Sequence, residues 1–116
     1  MPEHLITRDR VLEALAGHIG AERAAHAEDL VIEITESADG IDAGTRRLRR
    51  VVEELRNDGH HVCGLPAHGY YMAADESDLN ATCQYLYSRS MTTLRQVAAM
   101  KRVSLPDLRG QLRLPS

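Results

Sequence analysis

A chain of 116 residues with a formal net charge of −3 is long enough for one compact core and short for two ordinary domains. It contains no Trp and no Phe, so the core is built from aliphatic side chains and tyrosine. Mild acidity excludes a nonspecific nucleic-acid coat, which would be basic overall, but leaves room for a local basic surface within a Debye length of about 8–10 Å.

No apolar run reaches membrane-spanning length, and Met1-Pro2-Glu3-His4 has neither the basic nor the apolar region of a signal peptide. Cys63 and Cys83 are the only cysteines. Together these features lead us to expect a cytoplasmic protein with reduced thiols.

In chain order, Thr7 offers a cap for a first helix carrying Val11, Leu12, Leu15 and Ile19, with Gly17 and Gly20 at its end. A second helix is expected over Ala24 to Thr35, with Leu30, Val31 and Ile34 inward. Ser37-Ala38-Asp39-Gly40 has the composition of a turn. A third helix then starts from a cap at Asp42 or Thr45 and runs to about Asn57, before Asp58-Gly59.

The third helix carries the most informative pattern. Leu48, Val51, Val52 and Leu55 form its inner face, and Arg46 and Arg50 lie opposite, with Arg47 and Arg49 flanking them. The basic residues therefore form a stripe. Arg side chains can pair in bidentate fashion with guanine edges, at about 1–3 kcal/mol of discrimination each, or hold phosphates. Thr45 is a further phosphate donor. The competing reading is a solvated helix whose arginines pair with Glu53, Glu54 and the acids of the second helix.

His61 to Leu65, the turn Pro66-Ala67-His68-Gly69 and Tyr70 to Ala73 read as a hairpin. His60, His61, Cys63 and His68 look like metal ligands, but alternating strand residues face opposite ways and no zinc spacing is completed. Neither a metal nor a cofactor is expected. Asp75 to Ser77 begins a long last helix ending near Arg102. Its residues Leu79, Cys83, Leu86, Leu94 and Val97 approach heptad spacing and form a candidate homodimer interface. Cys83 reads as a small hydrophobe. No nucleophile with a paired base and no glycine-rich phosphate loop is present, so an enzyme is not expected. The tail over 104–116 is rich in leucine and is a candidate docking segment for a protein partner.

The spacing Leu55-Arg56-x-x-Gly59-x-x-Val62-x-x-x-Pro66-x-x-Gly69-Tyr70 resembles the recognition-helix end and wing of winged helix-turn-helix domains. It is similar to the DNA-binding module of biotin repressors and to small phage and prophage helix-turn-helix proteins. The stretch from Gly40 to Leu55 is slightly longer than in the biotin repressors, and the wing carries His68 but no Lys or Arg.

The resemblance implies a mainly α fold with a small β-hairpin. The winged helix-turn-helix would occupy residues 1–74, with Tyr70 pinning the hairpin on the core. The long helix would span 75–103 and the tail 104–116. It also implies a sequence-specific binder of double-stranded DNA, in transcriptional regulation or as a replication or recombination accessory. Thr45, Arg46, Arg47, Arg49, Arg50 and His68 would contact the DNA. The alternative is a protein-interaction module on the same scaffold.

Overall fold

The computed structural model describes residues 2–102 and Pro106. The chain is mainly helical, with a two-stranded antiparallel hairpin and a long C-terminal helix. The leucine-rich tail expected over 104–116 lies outside the described residues, Pro106 excepted.

A 3-10 turn over Pro2–Leu5 leads to Ile6, which is buried. Thr7 caps α1 (Arg8–Leu15) as expected, its hydroxyl accepting from Arg10 N at 3.3 Å. Val11 and Leu15 are buried. Ile19 lies beyond the helix end and is exposed.

The next helix, α2 (Ala27–Thr35), starts later than the sequence suggests. Ala21–Arg23 forms a separate 3-10 turn, and Ala24 is extended. Ala25 then exchanges two backbone hydrogen bonds with Tyr70, at 3.0 and 2.8 Å, so this segment lies against the hairpin. Glu36 closes α2 in a left-handed conformation at φ 57°.

Helix α3 (Ile41–Asn57) begins directly after Gly40, whose φ of 66° suits glycine. Neither Asp42 nor Thr45 is the cap. Both lie inside the helix.

These helices converge on one core of Ile6, Val11, Leu15, Leu30, Val31, Ile34, Leu48, Val51, Val52, Leu55 and Val62. Gly44 permits the close approach of α3 to α2. A Cβ placed there would fall 2.7 Å from Val31 Cγ1.

Strands β1 (Val62–Leu65) and β2 (Gly69–Met72) pair with Val62 opposite Met72 and Cys63 opposite Tyr71. Side chains alternate across the ladder. Val62, Tyr70 and Met72 meet the helical core. Tyr71, rather than Tyr70, is the fully buried tyrosine.

The face bearing Cys63 and Tyr71 meets the first turns of α4 (Glu76–Lys101). Cys63 Sγ donates to Asp78 O at 3.5 Å, and Gly64 N donates to the Thr82 hydroxyl at 3.3 Å. Thr82 also shares a hydrogen bond with Tyr71, and burial pushes the Tyr71 phenol above its ordinary pKa against that bond. The hairpin is thus filled on both faces. Asp75 and Asp78 secure the helix start: Asp78 N donates to Asp75 Oδ1 and Ala74 N to Asp78 Oδ2, both at 2.9 Å.

The chain forms two compact units, Met1–Thr82 and Cys83–Ser116. The described part of the second is the remainder of α4. In it the Arg89 guanidinium lies 5.7 Å from the Tyr85 ring centroid, and Leu86, Tyr87 and Met100 are exposed. No helix among the described residues is long and apolar enough to cross a membrane.

Candidate nucleic-acid interface

Burial of Leu48, Val51, Val52 and Leu55 fixes the rotation of α3. The opposite side must then face solvent. It presents Arg46, Arg49, Arg50 and Glu53, all exposed. Arg46, Arg49 and Arg50 make no ion pair with another described residue. Neighbouring guanidinium groups on such a stripe repel, and an anionic ligand would relieve that repulsion.

The other expected contact residues divide. Arg47 is half-buried, and its Nε donates to Ile6 O at 2.9 Å. It ties the N-terminal turn to α3. Thr45 is buried, and its hydroxyl donates to Asp42 O at 3.0 Å. Arg56 turns toward the hairpin, where its Nε donates to Val62 O at 2.8 Å. These three side chains serve the scaffold.

Arg46 and Arg49 line one groove of about 600 Å³ together with His26, Ala27, Glu28, Asp42 and Thr45. His26 stands at the N-cap position of α2 without a side-chain capping bond. Its backbone also lies against Gly69, whose φ is 93°. His26 therefore touches both the hairpin return and the arginine groove. His68 is exposed in the turn just before Gly69, and the structure brings that turn to the beginning of α2. Glu28 and Asp42 place negative charge in the groove beside Arg46 and Arg49, whereas Arg50 is exposed outside it.

The remaining candidates are placed as follows. Leu79, Leu94 and Val97 are half-buried, whereas Cys83 and Leu86 are exposed. His60, His61 and His68 are exposed and Cys63 is buried. Among the described residues no group of three or more His, Cys, Asp or Glu converges on a metal-sized site.

Sequence reasoning missed His18. Its Nε2 lies 2.9 Å from Glu33 Oε1 and its Nδ1 lies 2.7 Å from Arg23 O. The Glu33 hydrogen bond raises its pKa above the ordinary value, burial opposes, and the Arg23 carbonyl adds to the rise. The sequence expected a helix to run through His18 to Ile19, whereas α1 ends at Leu15, and neither partner is adjacent in sequence.

Comparisons with models of known protein families, with curated proteins and with solved structures find no match.

Proposed function

We propose that the protein is a winged helix-turn-helix binder of double-stranded DNA, with α2 and α3 as the helix pair and the β1–β2 hairpin as the wing. The observation that carries this reading is the outward stripe of Arg46, Arg49 and Arg50, exposed and without ion-pair partners among the described residues. It lies on the helix whose other face is the core, as a groove-entering helix requires. Arg46, Arg49 and Arg50 are the proposed base and phosphate contacts, and His68 meets the flanking backbone from the hairpin tip.

The reading includes a homodimer through α4, with Leu79, Cys83, Leu86, Leu94 and Val97 on the facing stripe. Two half-sites separated by whole helical turns would follow. The role fits a bacterial, phage or prophage regulator, or an accessory protein of replication or recombination, acting in the cytoplasm.

A selection from a random duplex library at two salt concentrations tests this, comparing the wild type with the Arg46→Ala/Arg50→Ala double variant. Enrichment of a two-fold motif that is lost in the variant is the expected result. Six phosphate contacts in a dimer would cost about a thousandfold in affinity between 50 and 200 mM salt. Absence of binding at low salt would overturn the reading.

A second reading, a protein-interaction module, draws on a different surface. Glu28, Asp29 and Glu33 on α2 and Glu36 at its C-cap are exposed around Ile32, which is 42 % exposed. An acidic face with a central apolar residue suits a basic protein segment. Loss of partner binding on Ile32→Ser with DNA binding intact would separate the two surfaces.

A further inference from the structure

The side chain of His18 is held by two groups that can only accept hydrogen bonds: the Arg23 backbone carbonyl, 2.7 Å from Nδ1, and the Glu33 carboxylate, 2.9 Å from Nε2. A neutral imidazole has one N–H, so it can satisfy one of these partners and must turn a lone pair toward the other. Only the doubly protonated ring donates to both.

The backbone of the same residue is also engaged. His18 O accepts from Met72 N at 2.8 Å, and two residues on, Gly20 N donates to Met72 O at 2.9 Å. His18 therefore joins three elements: the connection between α1 and α2, the body of α2 at Glu33, and strand β2 at Met72. The charged groups facing it are few. Glu33 comes from α2. From α1, Arg10 and Glu13 line the adjoining groove beside Gly17 and Glu33. The 3-10 turn offers the Arg23 carbonyl, and β2 offers the Met72 amide without a titratable side chain.

We propose that His18 is a proton-operated latch that fastens the α1–α2 connection to α2 and to the hairpin when its ring is charged. The latch is a property of the scaffold and does not depend on the DNA-binding reading.

The direction of the effect follows from linkage. A histidine with a pKa raised above 6.5 in the fold contributes its stabilisation in full below that ordinary value. The contribution is lost as the pH rises through the raised one. At high pH the ring releases one partner, and the connection over residues 18–25 loosens from β2.

The test is an NMR titration of the full chain from pH 5.5 to 8.5, with amide hydrogen exchange followed in parallel. His18 is expected to titrate above the ordinary histidine value of 6.5. The protection factors of the Met72 and Gly20 amides should fall severalfold across the His18 midpoint, while those of Leu48 and Val52 hold. In Glu33→Gln, which keeps an oxygen acceptor but removes the charge, the midpoint and the loss of protection should move together to lower pH. A His18 midpoint at or below 6.5 would overturn the latch. So would unchanged Met72 and Gly20 protection through the transition, in either protein.

Discussion

Gly69 is pressed against the carbonyl of Ala25. A Cβ on Gly69 would lie 2.7 Å from the Ala25 carbonyl carbon and 2.9 Å from His26 Cα, and its φ of 93° is one that side-chain-bearing residues avoid. Both obstacles are backbone, so neither can be relieved by a rotamer change. The contact sets the hairpin return beside the start of α2, where His26 lines the groove with Arg46 and Arg49.

Gly69→Ala is therefore expected to destabilise the fold by about 2–4 kcal/mol, combining backbone strain with a clash. Chemical denaturation measures it as a lowered midpoint at unchanged slope. A loss under about 0.5 kcal/mol would show that the segment around Ala25 yields freely.

Gly44 presents a different conflict. Alanine would favour the helix by about 1 kcal/mol, but its Cβ would fall 2.7 Å from Val31 Cγ1. Val31 is buried and its β-branched side chain has little freedom. Overpacking of this kind costs about 1–3 kcal/mol, so Gly44→Ala should be neutral to destabilising by about 2 kcal/mol. The double variant Gly44→Ala/Val31→Ala should lose less than the sum of the single losses, because it removes the clash. Strict additivity in a thermal melt would count against a direct contact.

Two arginines on α3 should separate stability from binding. Arg56→Ala deletes the hydrogen bond to Val62 O and should cost about 1–2 kcal/mol, as expected for a partly buried charge-assisted bond. Arg50→Ala removes an exposed side chain and should stay within about 0.5 kcal/mol in a melt. If the proposed function holds, Arg50→Ala should nevertheless weaken duplex binding and reduce its salt slope by about one contact. Equal stability losses for the two variants would contradict their different placements.

Thr82 is a polar side chain only 3 % exposed. Its hydroxyl accepts from Gly64 N and hydrogen-bonds Tyr71. Thr82→Val preserves shape and leaves those groups unpaired, which should cost about 1–3 kcal/mol. Thr82→Ser should recover part of the loss. Comparable melting of Thr82→Val and the wild type would mean that water replaces the hydroxyl.

Much of the fold was legible because its signals are local. The aliphatic stripe of α3, the cap at Thr7 and the turn at Pro66 to Gly69 need only neighbours a few residues away. The misreadings arose where distant groups decide. Ala24 and Ala25 favour a helix by composition, yet Ala25 is drawn out straight by Tyr70. Tyr70 packs on the core as expected, but the complete burial of Tyr71 and its bond to Thr82 depend on a residue distant in sequence. Arg47 belongs to the basic stripe by helical rotation, but the carbonyl of Ile6, far away in sequence, draws its side chain inward. The pairing of His18 with Glu33 and Arg23 left no trace in the sequence for the same reason. Of the expected DNA-contacting set, the structure brings Arg46, Arg49 and Arg50 onto one exposed face and turns Thr45 and Arg47 to internal tasks.

The hairpin filled from both sides has a consequence for where this chain can be cut. A fragment ending at residue 74 would keep every residue of the expected 1–74 module, yet Tyr71 would lose its hydrogen bond to Thr82 and Gly64 N its acceptor. The compact unit that contains the hairpin runs through Thr82. The opening turns of the long helix thus belong to the hairpin's architecture, and a boundary drawn between strand and helix would cut through a single packed unit.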